Sequence, residues 1–310
     1  MKTFVKFIIF AIIVSIPLYS FGACYATFWH NSLEDFFESY ESQEPEDACI
    51  YDNVLDLLYF QEKEYDLGKM VEPILGDMSI DTVLLVRNDK VYAMNPKTIN
   101  KNGKRQRAEL YEIDLSSGSL EVIYSVDCCM KDESTGKYVG LVYPEAHYYK
   151  GSVYIADGVF VFEYNLQTGE TKQYQYRQDS LPWINEEPEI TVKRINAVDS
   201  GTSQGELELN TPTGSIQITL EYVAKKCPII NELLSMGKLY GWTGPINPLQ
   251  GFFYEYYLIE NTLYLVCNVL DAEGGSNAVI LSYDIESDSF SYHNYYFCGD
   301  NPNYIIIPKM

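Results

Sequence analysis

The chain has 310 residues, 46% hydrophobic and 15% aromatic, with 22 Lys and Arg against 44 Asp and Glu, a formal net charge of −22. That is ample material for a hydrophobic core in one domain or two small ones. The surplus of negative charge repels nucleic acid and anionic membranes, and excludes both as partners held by charge.

Lys2 and Lys6 precede an apolar run from Phe7 to Ala23, interrupted only by Pro17 and small polar residues. A basic start, an apolar middle and a breaker form a secretory signal over residues 1–24. The protein is therefore expected outside the cytoplasm, whether secreted, periplasmic or tethered at the cell surface. Its processing stays open. Ser20-Phe21-Gly22 and Cys24-Tyr25-Ala26 both offer small residues to a signal peptidase. Gly22-Ala23-Cys24 resembles the end of a bacterial lipobox, which would make Cys24 a lipidation site, although Phe21 stands where that motif has Leu. Kept whole, Phe4 to Trp29 is nearly long enough to anchor in a bilayer, and Pro17 argues against that. Contact with a membrane is expected only through such a lipid or N-terminal anchor. No second apolar run is long enough to cross one.

Residues 25–80 read as a partly helical, acidic N-terminal cap. Residues 31–47 carry seven acids and no base. Ser32-Leu33-Glu34-Asp35 fits a capping box, and Val54, Leu57, Leu58 and Tyr65 fall at helical spacing within Asn53–Leu67. The same stretch, like Asn303–Pro308 at the other end, is also a candidate to supply a strand.

From residue 81 onward the chain repeats. Tyr111-Glu112-Ile113-Asp114-Leu115-Ser116-Ser117-Gly118, Phe162-Glu163-Tyr164-Asn165-Leu166-Gln167-Thr168-Gly169, Leu207-Glu208-Leu209-Asn210-Thr211-Pro212-Thr213-Gly214 and Leu281-Ser282-Tyr283-Asp284-Ile285-Glu286-Ser287-Asp288 share one pattern. Apolar and polar residues alternate, as in a half-buried strand. An Asx residue and a final position suited to positive φ then turn the chain into the next strand. In the fourth copy Asp288 stands where the three others have Gly. Upstream of three copies a tight turn leads into a strand opening apolar-Tyr: Asn88 to Tyr92, Lys150 to Tyr154 and Glu260 to Tyr264. Together these elements predict four-stranded antiparallel units at about 82–126, 138–178, 190–222 and 252–297.

The Asx positions 114, 165, 210 and 284 are spaced by 51, 45 and 74 residues. The long interval holds a segment of different character at 223–245. There Pro228 suits a first helical turn, Ile229 to Met236 a short helix and Gly237 its end. A period near fifty with four strands per unit is the signature of a propeller. The hairpins resemble those of bacterial exported β-propellers, which carry an aromatic-x-apolar-Asp-Leu-x-x-Gly pattern. The resemblance covers residues 82–297, is one of architecture, and brings no catalytic residues with it. The expected fold is all-β: a β-propeller-like array of four-stranded units with a small partly helical N-terminal segment, residues 81–310 forming the β-domain. Four units are few for a closed ring, so a fifth is expected from the termini. A twisted multi-sheet sandwich is the competing fold.

The chemistry-bearing candidates are few. With Cys24 set aside, Cys49, Cys128, Cys129, Cys227, Cys267 and Cys298 could form up to three disulfides in an oxidising compartment. Gly201-Thr202-Ser203-Gln204-Gly205 matches the serine-hydrolase elbow, followed by Asp271, Asp284 and His293 in hydrolase order. An elbow must lead into a helix, however, and Glu206 to Asn210 reads as a strand. His30, His147 and His293 are the only histidines. Asp271, Glu273 and Asn277 flank Gly274-Gly275 with hard oxygen ligands, the one candidate calcium site. Apart from such a calcium, no cofactor is expected. Lys97, Lys101, Lys104, Arg105 and Arg107 crowd one connection, a candidate contact for an anionic partner or for the acidic cap. Tyr-rich strands such as Phe252 to Tyr257 could stack on sugars or peptide side chains, although Tyr simply favours strands. The preferred reading is a non-catalytic exported protein binding a protein or a glycan. A polysaccharide hydrolase or lyase using carboxylates is the alternative.

Overall fold

The computed structural model describes residues 36, 40, 43–75, 80–98, 106–128, 130–131, 134–135, 138–139, 144–176, 181–182, 189–195, 206–239, 253–270, 276–298 and 304–310. The fold is mostly β and propeller-like: four four-stranded antiparallel sheets, one three-stranded sheet and one two-stranded pair. The chain forms two compact units, one of residues 45–189 with 303–310, the other of residues 1–44 with 190–302.

The first of these holds three four-stranded sheets. One is β1 (Ala48–Asp52), β2 (Leu57–Phe60) and β3 (Lys63–Asp66), completed on the free side of β1 by the C-terminal β21 (Tyr304–Pro308). The register runs from Ala48 opposite Pro308 to Asp52 opposite Tyr304. The second sheet is β4 (Thr82–Arg87), β5 (Lys90–Thr98), β6 (Gln106–Asp114) and β7 (Leu120–Asp127). After the short pair β8 (Met130–Lys131) and β9 (Tyr138–Val139) comes the third: β10 (Glu145–Tyr149), β11 (Ser152–Ala156), β12 (Phe160–Asn165) and β13 (Thr171–Gln175). The first strands β21, β4 and β10 lie beside one another, as first strands do in a propeller. One continuous core joins the sheets through residues such as Tyr51, Leu58, Leu85, Val91, Val153 and Ile307.

The other unit holds β14 (Thr191–Ile195), β15 (Glu206–Thr211) and β16 (Gly214–Ile218), then two helices, α2 (Leu220–Lys226) and α3 (Pro228–Leu239). A four-stranded sheet follows: β17 (Phe253–Ile259), β18 (Thr262–Leu270), β19 (Ser276–Asp284) and β20 (Ser289–Cys298). Leu207, Leu209 and Ile218 pack with Val223, Ile230 and Leu233 of the helices and with Leu263, Leu265 and Leu281. The insertion is helical as expected, yet it begins at Leu220 and runs past Gly237. Thr219 caps α2, accepting the Tyr222 N–H at 3.1 Å, and Pro228 opens α3.

The repeat pattern is borne out at three of its four turns; in the third copy β15 runs through Asn210 to Thr211, opposite Gly214, and the chain turns at 212–213 instead. Asp114 Oδ1 accepts the N–H groups of Ser116 and Ser117 at 2.9 and 2.8 Å; Asn165 Oδ1 accepts those of Gln167 and Thr168 at 3.0 and 2.9 Å. Gly118 (φ 67°), Gly169 (φ 70°) and Asp288 (φ 53°) take the left-handed position.

Two expectations need correction. The helical spacing over Asn53–Leu67 belongs instead to the β2–β3 hairpin, whose turn residues Gln61 and Glu62 sit at φ 52° and 57°. Hairpin turns of this kind favour Asn and Gly, so Gln-Glu gave no turn signal. Leu58 and Phe60 are buried by strand alternation, while Val54 is 63% exposed in the preceding turn. The helix comes next, as α1 (Leu67–Leu75), where Asp66 Oδ1 accepts the Lys69 N–H at 2.9 Å. Secondly, the expected disulfides are absent among the described residues: Cys49, Cys128, Cys227 and Cys267 carry reduced, buried thiols. Each fills its core as a small apolar side chain. Burial pushes the thiols of Cys227 and Cys267 upward in pKa.

Candidate functional site

Superposing the Asx turns places equivalent residues across every repeat. Asp114, Asn165, Asn210 and Asp284 on the third strand face Lys90, Ser152, Thr191 and Thr262 on the second. Two residues further along, Glu112, Glu163, Glu208 and Ser282 face Tyr92, Tyr154, Lys193 and Tyr264. A carboxylate opposite Tyr or Lys is thus a repeated rung, which the aligned motifs contained but the analysis of single motifs missed.

Each rung is closed by local partners. Glu112 accepts Tyr92 OH at 2.8 Å and pairs with Lys90. Burial, then this bond to Glu112, pushes the Tyr92 phenol up to about 12. Glu163 accepts Ser152 Oγ at 3.1 Å and the Tyr174 hydroxyl, with Lys172 Nζ at 3.9 Å. Glu208 binds Lys193 Nζ at 2.6 Å, which lowers its pKa. In the fourth repeat Ser282 replaces the acid, and its Oγ lies 2.8 Å from His293 Nε2. His293 Nδ1 meets the Gln43 carbonyl, and Gln43 N–H donates to Tyr292 O at 3.1 Å. A serine, an imidazole and an orienting oxygen are thus in line, as in a hydrolase triad. The third member is a backbone carbonyl, His293 is 2% exposed and Ser282 9%. The arrangement latches the segment at Gln43 onto β20.

Asp288, in place of the turn glycine, meets three side chains. Tyr222 OH and Tyr283 OH donate to its Oδ1 at 2.5 and 2.8 Å, and Lys226 pairs with Oδ2. It joins α2 to β20. Lys226 first, then the two phenols, hold the Asp288 carboxyl down at about 2. A depressed folded value stabilises above the unfolded pKa near 3.8 and is lost as pH falls through the folded value. Acid titration followed by circular dichroism should therefore show wild type losing stability between about pH 4 and pH 2. Asp288→Asn should lose part of that slope, and an unchanged slope would contradict the assignment.

The other sequence candidates divide clearly. His147 is half-exposed on β10, with Nε2 3.8 Å from Glu145. Arg107 Nε pairs with Asp127 at 3.0 Å, which spends one charge of the basic cluster inside its own sheet. Asn277 pairs with Val269 and Cys298 in β19 through its backbone. Cys24, His30, Lys101, Lys104, Arg105, Ser203, Asp271 and Glu273, like the capping box at Ser32, lie outside the described residues. In topology, however, the basic loop, the Gly-x-Ser-x-Gly loop and the acidic Gly-Gly loop all join a second strand to a third. The equivalent connection between β11 and β12 holds Asp157, which sequence reasoning passed over. Its Oδ1 accepts Val159 and Phe160 N–H at 2.9 and 2.7 Å, its Oδ2 is buried without a hydrogen-bond partner, and burial raises its pKa. No group of three or more His, Cys, Asp or Glu suited to a metal occurs among the described residues.

Comparison with known proteins adds little. No family model and no curated protein matches the chain. Among solved structures, the N-terminal domain of Nup159 is 12% identical, with a TM-score of 0.21, over 82% of this chain and 69% of that one. The dipeptidyl peptidase 4 of Porphyromonas gingivalis is 8% identical, TM-score 0.21, over 81% of this chain and 40% of that one. The tricorn protease is 11% identical, TM-score 0.21, over 86% of this chain and 34% of that one. These neighbours are β-propeller-like, and at such scores they carry no argument about what this chain does.

Proposed function

We propose that the protein is an exported, non-catalytic, β-propeller-like binding protein. The observation supporting this reading is the fate of its repeated carboxylates. Glu112, Glu163 and Glu208 each sit at one register and are each held by cross-strand Tyr, Ser or Lys. General acid–base work needs a carboxyl whose proton exchanges with substrate, and these are committed to holding sheets together. The Ser282–His293 pair is likewise engaged at both ring nitrogens. The apolar segment ending at Cys24 supports export, with lipidation at Cys24 as the proposed tether. Calcium at Asp271, Glu273 and Asn277 remains a proposal of the sequence alone.

The test is an activity screen of the mature, exported protein against polysaccharides and peptides, reading new reducing ends, unsaturated products and free amines. No turnover above the blank is expected. Turnover of any polymer that one acid-to-amide change such as Glu163→Gln abolishes would overturn the reading in favour of a hydrolase or lyase.

A further inference from the structure

Asp157 turns β11 into β12. Its N–H donates to the Phe160 carbonyl at 3.1 Å, and its Oδ1 accepts the N–H groups of Val159 and Phe160. One carboxyl oxygen is thus committed to the turn. The other has no hydrogen-bond partner, and the residue is 0% exposed. The neighbouring sheet supplies the contrast. With Lys90 and Ser152 aligned as equivalent rungs, Asn95 is the counterpart of Asp157. Asn95 Oδ1 accepts the N–H of Asp81 at 2.7 Å, and the register pairing Thr82 with Met94 places Asp81 opposite Asn95. In the sheet of Asp157, the register pairing Glu145 with Ala156 places Pro144 opposite. Proline has no N–H to give.

The surroundings are apolar. Strand alternation puts Asp157 on the sheet face of Ala146, Ile155 and Phe162, all buried in the common core. The titratable groups on that face, Tyr148 and Tyr164, lie toward the other end of the strands, while Glu145, His147, Tyr154 and Glu163 alternate onto the opposite face. Tyr164 stacks on Tyr124 of β7 at 5.1 Å, so the β4–β7 sheet packs against this face. Its titratable groups there are Tyr92, Glu112, Glu121 and Tyr124, gathered about Tyr164, and the buried thiol of Cys128. Arg107 and Asp127 pair with each other on the far face of that sheet. Burial raises the Asp157 carboxyl, and only backbone N–H groups oppose it.

We infer that the β11–β12 turn is an acid-set clasp, closed around a protonated Asp157 and loosened as that carboxyl ionises, because Pro144 withholds the backbone donor that would satisfy the anion. A neutral hydroxyl in an apolar core costs far less than a carboxylate with one bare oxygen. A carboxyl whose folded pKa lies above its unfolded value stabilises fully below the unfolded value. That contribution is lost as pH rises through the folded value. The turn is therefore tightest in acid and opens more readily toward neutral pH. The inference goes beyond the binding-protein reading and does not depend on it.

The test is an NMR titration of the mature protein carrying 13C at its Asp carboxyls, the Asp157 signal being the one that Asp157→Asn removes. Its inflection is expected above 3.8, the ordinary value. Hydrogen exchange, corrected for its intrinsic pH dependence, reads the clasp itself. Protection of the Val159 and Phe160 amides should fall about tenfold for each pH unit between 3.8 and that inflection, then level off. Asp157→Asn keeps the Oδ1 acceptor and should hold that protection flat. The Gln167 and Thr168 amides, held by Asn165 at the other end of the sheet, report global stability and correct for it. Pro144→Ala restores an N–H and should draw the inflection down toward 3.8. An inflection at or below 3.8 in the wild type would mean that water or a cation satisfies the anion, and would overturn the inference. So would protection at Val159 and Phe160 that ignores pH, or an inflection that Pro144→Ala leaves in place.

Discussion

Truncation after Pro302 is expected to unfold residues 45–189. The last strand supplies one edge of the β1 sheet along five paired positions, and it buries Tyr304, Ile306 and Ile307, which are 5%, 3% and 1% exposed. At about 1.5–3 kcal/mol per buried side chain of this size, the loss is roughly 5–9 kcal/mol before any hydrogen bond is counted. That is comparable to the whole stability of an ordinary domain. Ile307→Asp should act in the same direction, since it places a carboxylate in the core shared with Tyr51 and Leu85. Removing only Met310, which is 57% exposed and donates one backbone hydrogen bond to Val86 O, should cost about 1 kcal/mol. Limited proteolysis and urea melts would read the difference, and a synthetic peptide of residues 303–310 should restore protection to the truncated chain. A truncated protein that melts like wild type would show that β21 does not close this sheet.

The second large effect is expected at Asp56. This residue turns the chain between β1 and β2 at φ 54°, its carbonyl accepts Leu67 N–H at 2.8 Å, and its carboxylate takes the hydroxyl of Tyr51. Tyr51 is 1% exposed, so its hydroxyl has no access to solvent as a substitute. Asp56→Gly keeps the backbone freedom and deletes the acceptor. It should cost about 3 kcal/mol, the penalty for orphaning a buried polar group with its charged partner. Asp56→Asn keeps both the hydrogen bond and the tolerance of positive φ, and should cost under about 1 kcal/mol. The two also differ in pH dependence from wild type. Burial raises the Asp56 carboxyl above its ordinary value, with the Tyr51 and Ile80 hydrogen bonds opposing it. An acid whose folded pKa is raised contributes most below its unfolded pKa, and that contribution is lost as pH rises through the folded value. In Asp56→Asn this component of the pH profile should vanish. Urea melts from pH 4 to pH 7 would show it, and equal stability of the Gly and Asn variants would contradict the role assigned to the carboxylate.

Much of this architecture was legible beforehand because it is encoded by near neighbours. A strand's alternation, an Asx side chain reaching N–H groups two and three residues on, and a residue free to take positive φ all act within eight positions. Hence the hairpins at Asp114, Asn165 and Asp284 appear where their residues predict them. The third repeat, expected as four strands, shows three among the described residues. Where local chemistry was ambiguous the prediction failed. Leu57, Leu58 and Tyr65 fit a helical face and a pair of strands equally well, and the Gln61-Glu62 turn carries no residue that favours its conformation.

The candidate site was less legible, because a rung joins strands whose register no single segment reveals. Glu112 meets Tyr92 across twenty residues, and His293 meets Gln43 across 250. The amino-acid sequence by itself determined the strand-turn repeat, its period, its helical interruption and the acidic balance of the chain, since each follows from residue type and spacing. Only the tertiary structure decided that Ala48–Asp52 pairs with Tyr304–Pro308, that the cysteines at 49, 128, 227 and 267 fill cores as thiols, and that the repeated acids are closed into rungs. Those outcomes depend on which distant surfaces exclude water together, and burial of that kind is a property of the packed sheets rather than of any stretch of chain.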